Sequence, residues 1–578
     1  MMKLNRNKYT ISPFHGSSNG QFFCVASFIV FVFLFSCKNK PAPPPQQEIV
    51  ETPQQMAARL PDLIQRIINQ GLEKGKLDDS TKFLQPVSLQ WYYDSTNYAP
   101  KWSKEFQWLP IADSLTATIE NARLYGLFPE DYHLQIIHSI RQKISSDSIN
   151  RKDAVLWSKA DILFTDALMQ LVNHVKLGRL QKDSITLRKD SVLSNQFFTD
   201  QVNKVFAGNT ISSTLDSLEP GIKGYQDLRA GIKWFLDSAN FRNYTFIPLP
   251  AYDIVKFKVA LKQRLIEDSL IDPTDVNPDS MKVSTALKKF QKNKKLTIDG
   301  KAGPETINAL NLTDNEKFIR IAMTLDKFKL LPDSMPKKYL WVNLPAYYLE
   351  LRDNDTIKIN SKIVVGKPLT RTPELNSSIS DMITYPQWNI PASIIEKEIL
   401  PGLKKDPGYL AEKGYSLLDS KNQEVDPYFV DWSKYKKTIP YKVVQGSGDD
   451  NALGILKFNF PNKYAVYLHD TNQRYLFANK NRSLSHGCVR VQDWQKLASY
   501  ILNNDSIYVV SRGKNAFTKT DSVTVWLSNK EKHYIPVRDR IPLFIRYFTC
   551  EAKDGKIVFY DDVYSEDQRL KEKYFQSK

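Results

Sequence analysis

Thiols and histidines are scarce in this chain. Its 578 residues include 4 cysteines and 7 histidines. So few thiols cannot form a disulfide scaffold for a chain of this length, and the fold must depend on hydrophobic cores. His469, His486 and Cys488 lie near one another in sequence, but no recognised spacing supplies the fourth ligand of a closed zinc site. We therefore expect no metal and no cofactor.

The apolar run near the N-terminus is too short to span a bilayer comfortably. It covers residues 22–35, follows three basic residues and ends at LFSC (34–37), which looks like a bacterial lipobox. Cleavage before Cys37 and lipidation of its thiol would anchor the mature chain to a membrane. We predict a lipoprotein signal peptide over 1–36 and a Pro-rich tether over 37–53. An uncleaved anchor, or an ordinary signal peptide with a chance cysteine, is the alternative.

Acidic residues are outnumbered by basic ones. The chain has 63 Asp and Glu against 80 Lys and Arg, which gives a formal net charge of +17. A basic surface favours an anionic partner, such as nucleic acid, a membrane surface or an acidic polymer. The basic residues are scattered and no nucleic-acid motif is present. We therefore expect an anionic wall polymer, and no nucleic acid, as the partner.

The length indicates about three or four domains. Apolar residues recur at helical spacing in the N-terminal part, whereas apolar and polar residues alternate from about residue 339, with Asp353-Asn354-Asp355 as a hairpin turn. The fold class is therefore α+β and multidomain. The predicted units are a helical domain (54–245), a small three-helix domain (251–311), a connecting helix (312–336), a β-rich domain (337–515) with a helical capping insertion at about 396–440, and a C-terminal extension that packs on the body (516–578).

One short run of residues contains the candidate catalytic groups. SHGCVR (485–490) places His486 and Gly487 directly before Cys488, and His469-Asp470 lies upstream. A thiol is a strong nucleophile only as its thiolate, so it needs a base or a positive field nearby. An arbitrary cysteine and histidine are more often an inert buried thiol and a solvent-facing ring. Cys550, in an apolar aromatic stretch, is predicted to be such a core residue, and a disulfide to Cys488 would abolish the chemistry.

The whole pattern resembles the signature of the YkuD-type L,D-transpeptidases, a histidine followed after a loop by Ser/Thr-His-Gly-Cys, a hydrophobic residue and Asn or Arg. Further segments follow the same family. They are WYYDSTNYAPKW (91–102) and GLFPEDYHLQ (126–135) in the scaffold region, YPQWNIP (385–391), DPGYLAEKGY (406–415), NALG (451–454) and FPNKYAVYLHD (460–470). Residues 286–311 resemble the peptidoglycan-binding type 1 domain. This module either binds glycan or serves as a spacer.

The resemblance implies a role for each site residue. Cys488 would be the nucleophile and His469 the general base and acid. Asp470 would orient His469 through its backbone carbonyl, with its carboxylate as the competing possibility. The N–H groups of Gly487 and Cys488 would bind the oxyanion, with His486 as a wall of the site. Substrate-binding candidates are Arg490, which could instead pair with Asp493, Ser485, which is expected to position the backbone, and Trp388 and Asn389, of which Trp388 is as readily a core residue.

The same resemblance implies the substrate and the compartment. A peptidoglycan tetrapeptide stem would donate its acyl group to Cys488 and lose D-alanine, and a second stem would then capture the thioester as a crosslink between third residues. The alternatives are a carboxypeptidase or exchange reaction, attachment of a protein to the wall, and a non-catalytic wall-binding lipoprotein. The protein is expected in the bacterial cell envelope, periplasmic and membrane-anchored through Cys37. The oligomeric state is not readable from the sequence.

Overall fold

The computed structural model describes residues 45–78, 81–208, 210–250, 253–275 and 278–575. The predicted signal peptide, Cys37 and most of the tether's first half lie outside these residues. Within the described ranges, no helix is both long enough and apolar enough to cross a membrane.

The N-terminal part is helical, as predicted. Its elements are α1 (Pro53–Lys74), α2 (Pro86–Ser95), the short strands β1 (Ser103–Lys104) and β2 (Gln107–Trp108), α3 (Pro110–Glu120), α4 (Leu134–Ser146), α5 (Ser148–Arg151), α6 (Ala154–Leu177), α7 (Asn195–Phe206), α8 (Ile211–Asp216) and α9 (Lys223–Ser238). Helix α6 is buried on nearly all sides, since it is the helix around which the others pack. The Asp153 side chain caps its start and Gly178 ends it.

A small three-helix unit follows. It contains α10 (Ile254–Glu267), α11 (Ser280–Asn293) and α12 (Pro304–Asn311). Phe290 and Leu310 are buried in its core. The buried amide of Gln291 accepts from the Gly300 N–H and donates to Thr306 Oγ1, so it fastens the turn between α11 and α12. The connecting helix α13 (Asp314–Phe328) then leads into the β-rich domain.

The β-rich domain begins with two hairpins. Its first strands are β3 (Lys338–Asn343), β4 (Tyr348–Asp353), β5 (Thr356–Gly366), β6 (Leu375–Ser378) and β7 (Asp381–Thr384). The turn between β4 and β5 is the one predicted: Asn354 and Asp355 both have positive φ, 49° and 59°, as a two-residue hairpin turn requires.

The capping subdomain, residues 388–445, interrupts the sheet after β7. It comprises β8 (Trp388–Asn389), α14 (Ala392–Ile394), α15 (Leu400–Lys405), α16 (Tyr409–Glu412), β9 (Tyr415–Leu418) and β10 (Lys442–Gln445), with a π-turn at Ile395–Ile399. It has its own sheet, in the order β8-β10-β9, and its own apolar core. The helical insertion expected from the sequence is therefore a mixed unit that extends beyond 396–440 on both sides.

The rest of the domain returns to the main sheet. Its elements are β11 (Leu456–Asn459), β12 (Leu468–His469), β13 (Ser483–Ser485), β14 (Val489–Val491), α17 (Trp494–Ser511), α18 (Thr520–Ser528), β15 (Tyr534–Pro536) and β16 (Pro542–Arg546). The strand order is β15-β7-β11-β12-β14-β5-β4-β3-β16-β6, with β13 beside β5. Strand β16 lies inside the sheet, between β3 and β6. The segment predicted as an extension that packs on the body (516–578) thus contributes β15 and β16 to the sheet itself.

The C-terminal segment fastens this domain to the connecting helix. It forms the hairpin β17 (Cys550–Lys553) and β18 (Lys556–Phe559) and the helix α19 (Glu566–Tyr574). A buried ion pair joins Lys327 of α13 to Asp567 of α19 at 2.9 Å. Cys550 is buried and its thiol donates to Thr324 Oγ1 at 3.2 Å, while Cys488 and Cys550 are both free thiols. Cys550 is therefore a core residue, as predicted.

Candidate active site

Strand pairing gathers the candidate residues on one face of the main sheet. His469 of β12 lies opposite Arg490 of β14 in a parallel pair, and opposite Lys457 of β11 in an antiparallel pair. Side chains that lie opposite each other share a face, as do side chains two residues apart. Cys488 precedes Arg490 by two residues, and Tyr467 precedes His469 by two. The face thus carries a row of Lys457, His469 and Arg490, with Tyr467 and Cys488 beside it.

Cys488 lies at the start of β14, at the edge of the cleft. Its side chain is partly exposed. The pairing of the two strands continues here, since the Val489 N–H donates to the Tyr467 carbonyl at 3.1 Å. Burial raises the pKa of the Cys488 thiol above its usual range, and hydrogen bonds from Tyr467 and the charges of Lys457 and Arg490 oppose this only in part. The thiol is therefore protonated at neutral pH.

His469 is buried on the same sheet face as this thiol and is uncharged. Its Nδ1 lies 2.5 Å from the backbone oxygen of Asp470. Because a carbonyl oxygen only accepts, Nδ1 carries the proton of the neutral ring and Nε2 is left as an acceptor. Burial is the main cause that lowers the pKa of His469 to about 3, and the charges of Arg490 and, less strongly, Lys457 act in the same direction. Hydrogen bonds to the backbone of Asp470 and Leu453 oppose this change. The ring is therefore a neutral base over the whole physiological range.

The Asp470 carboxylate points away from His469. Its Oδ1 accepts from Arg474 Nη1 at 2.6 Å, and its Oδ2 accepts from the Ile455 N–H at 3.2 Å. Burial nevertheless raises the pKa of this carboxyl group. Of the two possibilities left open by the sequence, the geometry matches the backbone carbonyl as the group that contacts His469.

Gly454 is the residue that keeps this carboxylate in place. Its φ is +62°, and a Cβ atom there would lie 2.3 Å from Asp470 Oδ2. We expect Gly454→Ala to lower turnover by about 10- to 100-fold, because a displaced Asp470 carries with it the carbonyl that holds His469. The unfolding free energy should fall by about 1–3 kcal/mol from the backbone strain alone. Turnover and thermal unfolding of the same samples measure the two effects.

Gly414 offers a matched control for this substitution. Its φ is +66°, but nothing lies within 4 Å of the Cβ position. Gly414→Ala should therefore show the backbone strain without the loss of turnover. Equal activity losses in the two variants would contradict the role assigned to the Asp470 contact.

The turn before Cys488 shows what Ser485 and Gly487 contact. Ser485 Oγ donates to the Cys488 carbonyl at 2.6 Å and accepts from the Gly487 N–H at 3.1 Å. The Gly487 N–H is thus already engaged within the turn, and it is not available as the predicted oxyanion donor. Among the described residues, the Cys488 N–H has no hydrogen-bond partner, so it is the donor that remains. Ser485 is buried and shapes the turn, which matches its expected backbone-positioning role, although its place among the substrate-binding candidates does not fit this burial.

His486 connects the catalytic turn to the capping subdomain. Its Nε2 lies 2.6 Å from Glu398 Oε1 in the π-turn. A cavity of about 500 Å³ lies here, lined by His486 and Gly487 on the sheet side and by Ser393 and Lys397 on the capping side. The predicted position of His486 on the wall of the site agrees with this geometry. From the sequence, the insertion is expected to be either a lid over the cleft or a decorative surface element. This contact favours the lid.

Arg490 does not pair with Asp493. Its Nη1 donates to Gln473 Oε1 at 2.7 Å and to Thr471 Oγ1 at 3.2 Å, and its buried Nε has no partner among the described residues. Asp493 instead forms an ion pair with Lys496 at 2.9 Å. The structural alternative considered for Arg490 is therefore wrong, and the guanidinium lies on the same sheet face as His469 with one N–H donor unpartnered.

Trp388 and Asn389 form strand β8 of the capping subdomain. Trp388 is half-buried and its ring meets Tyr415 edge-to-face, with centroids 6.1 Å apart. Burial raises the pKa of the Tyr467 hydroxyl, and a side-chain hydrogen bond with Trp388 is among the influences that oppose this. Trp388 thus packs against the core of the capping subdomain and also contacts Tyr467, the residue that neighbours the Cys488 thiol. Asn389 is exposed.

Sequence reasoning missed three residues of this site. Tyr467 could have been found, because it precedes His469 by two residues in a strand. Lys457 carries no local signal, since only the register of β11 on β12 brings it beside His469. Glu398 is one of several acidic residues in the insertion, and nothing in the sequence distinguishes it. In the part of the chain that the structure describes, no three His, Cys, Asp or Glu side chains are grouped to hold a metal.

Comparison with known protein families agrees with this arrangement. Residues 337–509 match the YkuD family model, described as the L,D-transpeptidase catalytic domain. This part of the chain belongs to the YkuD family. Residues 87–231 match the scaffold domain, and residues 260–310 match the model described as "Putative peptidoglycan binding domain". The family and the α+β multidomain fold class expected from the sequence are thereby confirmed.

Each individual relative covers less of the protein than the three family models do together. A "Putative L,D-transpeptidase" of Haemophilus influenzae is 38% identical over 252 residues, which are 43% of this chain and 48% of the relative. The chain thus spans about half the length of the curated relative it matches. The solved "L,D-transpeptidase from Mycobacterium smegmatis" has a TM-score of 0.16 and 9% identity, over 37% of this chain and 61% of that one. The "Structure of the Ldtfm-avibactam carbamoyl enzyme" has a TM-score of 0.15 and 12% identity, over 39% of this chain and 61% of that one.

Proposed function

We propose that the YkuD-family domain of this protein is a cysteine-dependent L,D-transpeptidase of the cell envelope. It acts on peptidoglycan tetrapeptide stems, releases the terminal D-alanine and joins third residues of two stems. The observation that carries this proposal is the placement of the neutral, carbonyl-held His469 on the same sheet face as the partly exposed Cys488. A nucleophile and an oriented base on rigid strands are what acyl transfer through a thioester requires.

The acylation step follows from the protonation states. The thiol and the imidazole are both neutral before reaction, so proton transfer accompanies attack. His469 Nε2 takes the thiol proton as Cys488 Sγ bonds to the carbonyl carbon of the stem's third residue. The Cys488 N–H donates to the developing oxyanion. When the tetrahedral intermediate collapses, the C–N bond breaks, and the imidazolium returns its proton to the departing D-alanine amine.

The second half-reaction runs in reverse order. The amine on a second stem attacks the thioester, His469 removes its proton, and the Cys488 sulfur leaves and takes that proton back. Attack by water instead would give a carboxypeptidase. The capping subdomain acts as a lid that favours the amine over water, because the His486–Glu398 contact holds it against the turn that carries Cys488.

Incubation of the full-length protein with disaccharide-tetrapeptide tests the proposal, with the products identified by mass spectrometry. Dimers that have lost one D-alanine are the expected result. Tripeptide alone would indicate a carboxypeptidase, and an adduct on an added protein amine would indicate attachment of proteins to the wall. No turnover and no acylation of Cys488 by a carbapenem would overturn the enzyme and leave a wall-binding protein.

The lid should determine the balance between crosslinking and hydrolysis. Glu398→Gln removes the charge that holds His486, an exposed contact that stabilises the closed arrangement by about 1 kcal/mol. We expect the ratio of tripeptide to dimer to rise about fivefold, with acylation nearly unchanged. The same mass-spectrometric assay measures this ratio.

Glu396→Gln is the matched control for the lid. Glu396 lies in the same π-turn, but it faces Lys437 of the capping subdomain at 4.0 Å. Its substitution should leave the product ratio as it is. A lid role for Glu398 would be excluded if both variants gave the wild-type ratio.

Membrane anchoring is a separate proposal. It rests on the lipobox-like sequence at Cys37, which lies outside the described residues, and on the envelope location that a peptidoglycan substrate implies. Whether the three-helix unit binds glycan is likewise a proposal, since its aromatic Phe290 lies in the core.

A further inference from the structure

Two cations lie on the same sheet face as the nucleophile, and neither is paired directly with a carboxylate. Lys457 and Arg490 are the outer members of the cross-strand row whose centre is His469. Neither forms an ion pair with any residue in the described ranges. Arg490 donates only to neutral groups and leaves its buried Nε unpartnered. Lys457 places its ammonium 3.9 Å from the centre of the Tyr467 ring.

One carboxylate acts on Lys457, but it forms no direct ion pair with the ammonium. Asp381 attracts the lysine, but its oxygens accept hydrogen bonds from Asn459 and Ser380 at 2.5 and 2.7 Å. Burial lowers the pKa of both Lys457 and Arg490. Holding two half-buried like charges on either side of an uncharged ring costs free energy unless an anion joins them. A positive site kept beside a nucleophile at such a cost points to an anionic ligand.

The position of the two cations limits which anion they can meet. Neighbouring strands are about 4.8 Å apart, and alternate residues along a strand are about 7 Å apart. By these spacings the Cα atoms of Arg490 and Lys457 lie about 7 and about 12 Å from that of Cys488. Their long side chains extend along the same face, and both charges act on the Cys488 thiol. A stem that presents its scissile carbonyl to that sulfur places only one obligatory free carboxylate so near, that of the residue about to leave. Only the amide nitrogen and one carbon separate this carboxylate from the carbonyl under attack.

We propose that Lys457 and Arg490 together bind the free α-carboxylate of the residue that leaves the donor stem. The inference rests on the proposed function and names the specificity element of the same site. Lys457 is new to the site: the sequence motif contains Arg490, whereas the lysine arrives from a different strand. The two cations would select donors whose chain ends one residue after the scissile bond. They would reject donors that are amidated or longer there, since the carboxylate is then neutral or displaced.

The positive field can be tested without any stem peptide. Iodoacetate and iodoacetamide alkylate the same thiol, but only iodoacetate is anionic. The ratio of their rates at Cys488 should fall about tenfold in Lys457→Gln relative to the intact protein. Lys362→Gln is the matched control, because Lys362 is an exposed lysine of β5 in the same sheet. Lys457→Arg should restore the ratio. An unchanged ratio in Lys457→Gln would overturn the anion site.

Stem peptides then identify the anion. The intact protein should acylate from a tetrapeptide with a free terminus at least tenfold faster, by kcat/KM, than from the amidated tetrapeptide. In Lys457→Gln this preference should shrink to within about threefold, and Lys362→Gln should keep it. Equal use of free and amidated stems by the intact protein would assign the cations to another carboxylate of the stem and overturn the proposal.

The alkylation experiment and the stem-peptide experiment distinguish a failure of this inference from a failure of the proposed function. If the protein turns over no stem at all, the alkylation ratio still reports whether Lys457 and Arg490 create an anion site at Cys488. If stems are turned over and the alkylation ratio is unaffected by Lys457→Gln, the transpeptidase stands and the carboxylate subsite does not.

Discussion

Replacing Cys488 with alanine is expected to lower turnover of tetrapeptide by at least about 1,000-fold and to abolish the covalent adduct. The structure offers no second nucleophile at the site in the residues that it describes. The hydroxyl of Ser485 is buried and already donates to the Cys488 carbonyl. Cys550 lies in a separate core, where burial raises its pKa to about 12. Release of D-alanine, together with the intact mass after exposure to a carbapenem, measures both losses.

Cys550→Ala is the control for Cys488→Ala, because it shows whether the loss of any other thiol has the same effect. It removes the other free cysteine of the described residues and should leave the adduct on Cys488, with at most a modest fall in stability. The assignment of the nucleophile would be wrong if Cys488→Ala still formed dimers, or if the adduct mapped to a residue other than Cys488.

Replacing His469 with glutamine is expected to lower kcat/KM by about 10²- to 10⁴-fold, the usual contribution of a positioned general base. Because burial raises the pKa of the Cys488 thiol, little thiolate exists at neutral pH without a base to accept its proton. The pH dependence should change as well. A base whose pKa is lowered to about 3 stays neutral at every pH above that value, so acylation by the intact protein should be nearly flat from pH 7 to 5.

The variant should instead depend on the thiolate fraction. Below the raised pKa of the thiol, that fraction grows about tenfold per pH unit, and the rate of the His469→Gln variant should grow with it. His486→Gln is the comparison, because that ring lies on the exposed wall and contacts Glu398. We expect it to change kcat/KM less than about tenfold and to keep the flat profile. A flat profile in His469→Gln would show that another group accepts the thiol proton.

Local sequence patterns predict much of this protein. Helical periodicity predicts the N-terminal helices, because each helix must bury an apolar stripe that repeats along the chain. The Asn354-Asp355 turn is equally local, since its positive φ angles suit only a few residue types. The chemistry of Cys488 is local too, because the motif SHGCVR encodes a tight turn and a thiol within six residues.

Other features depend on segments that meet only in the folded domain. Strand β16 enters the main sheet next to β3, about 200 residues away in sequence, so its role could not be read from its neighbours. The capping subdomain contains three short strands that pair only with one another, and sequences of two to four residues carry too little periodicity to show this.

The sequence by itself predicted the candidate nucleophile and base and determined the family and the order of the modules, because each is encoded by residues close together in the chain. The tertiary structure decided which groups of those residues are available. Asp470 contacts His469 through its carbonyl because Arg474 and Ile455 bind its carboxylate. The Gly487 N–H is engaged because it donates to Ser485 Oγ. Strand register decided that Lys457 joins Arg490 around His469, since a shift of one residue would turn every one of these side chains to the other face of the sheet.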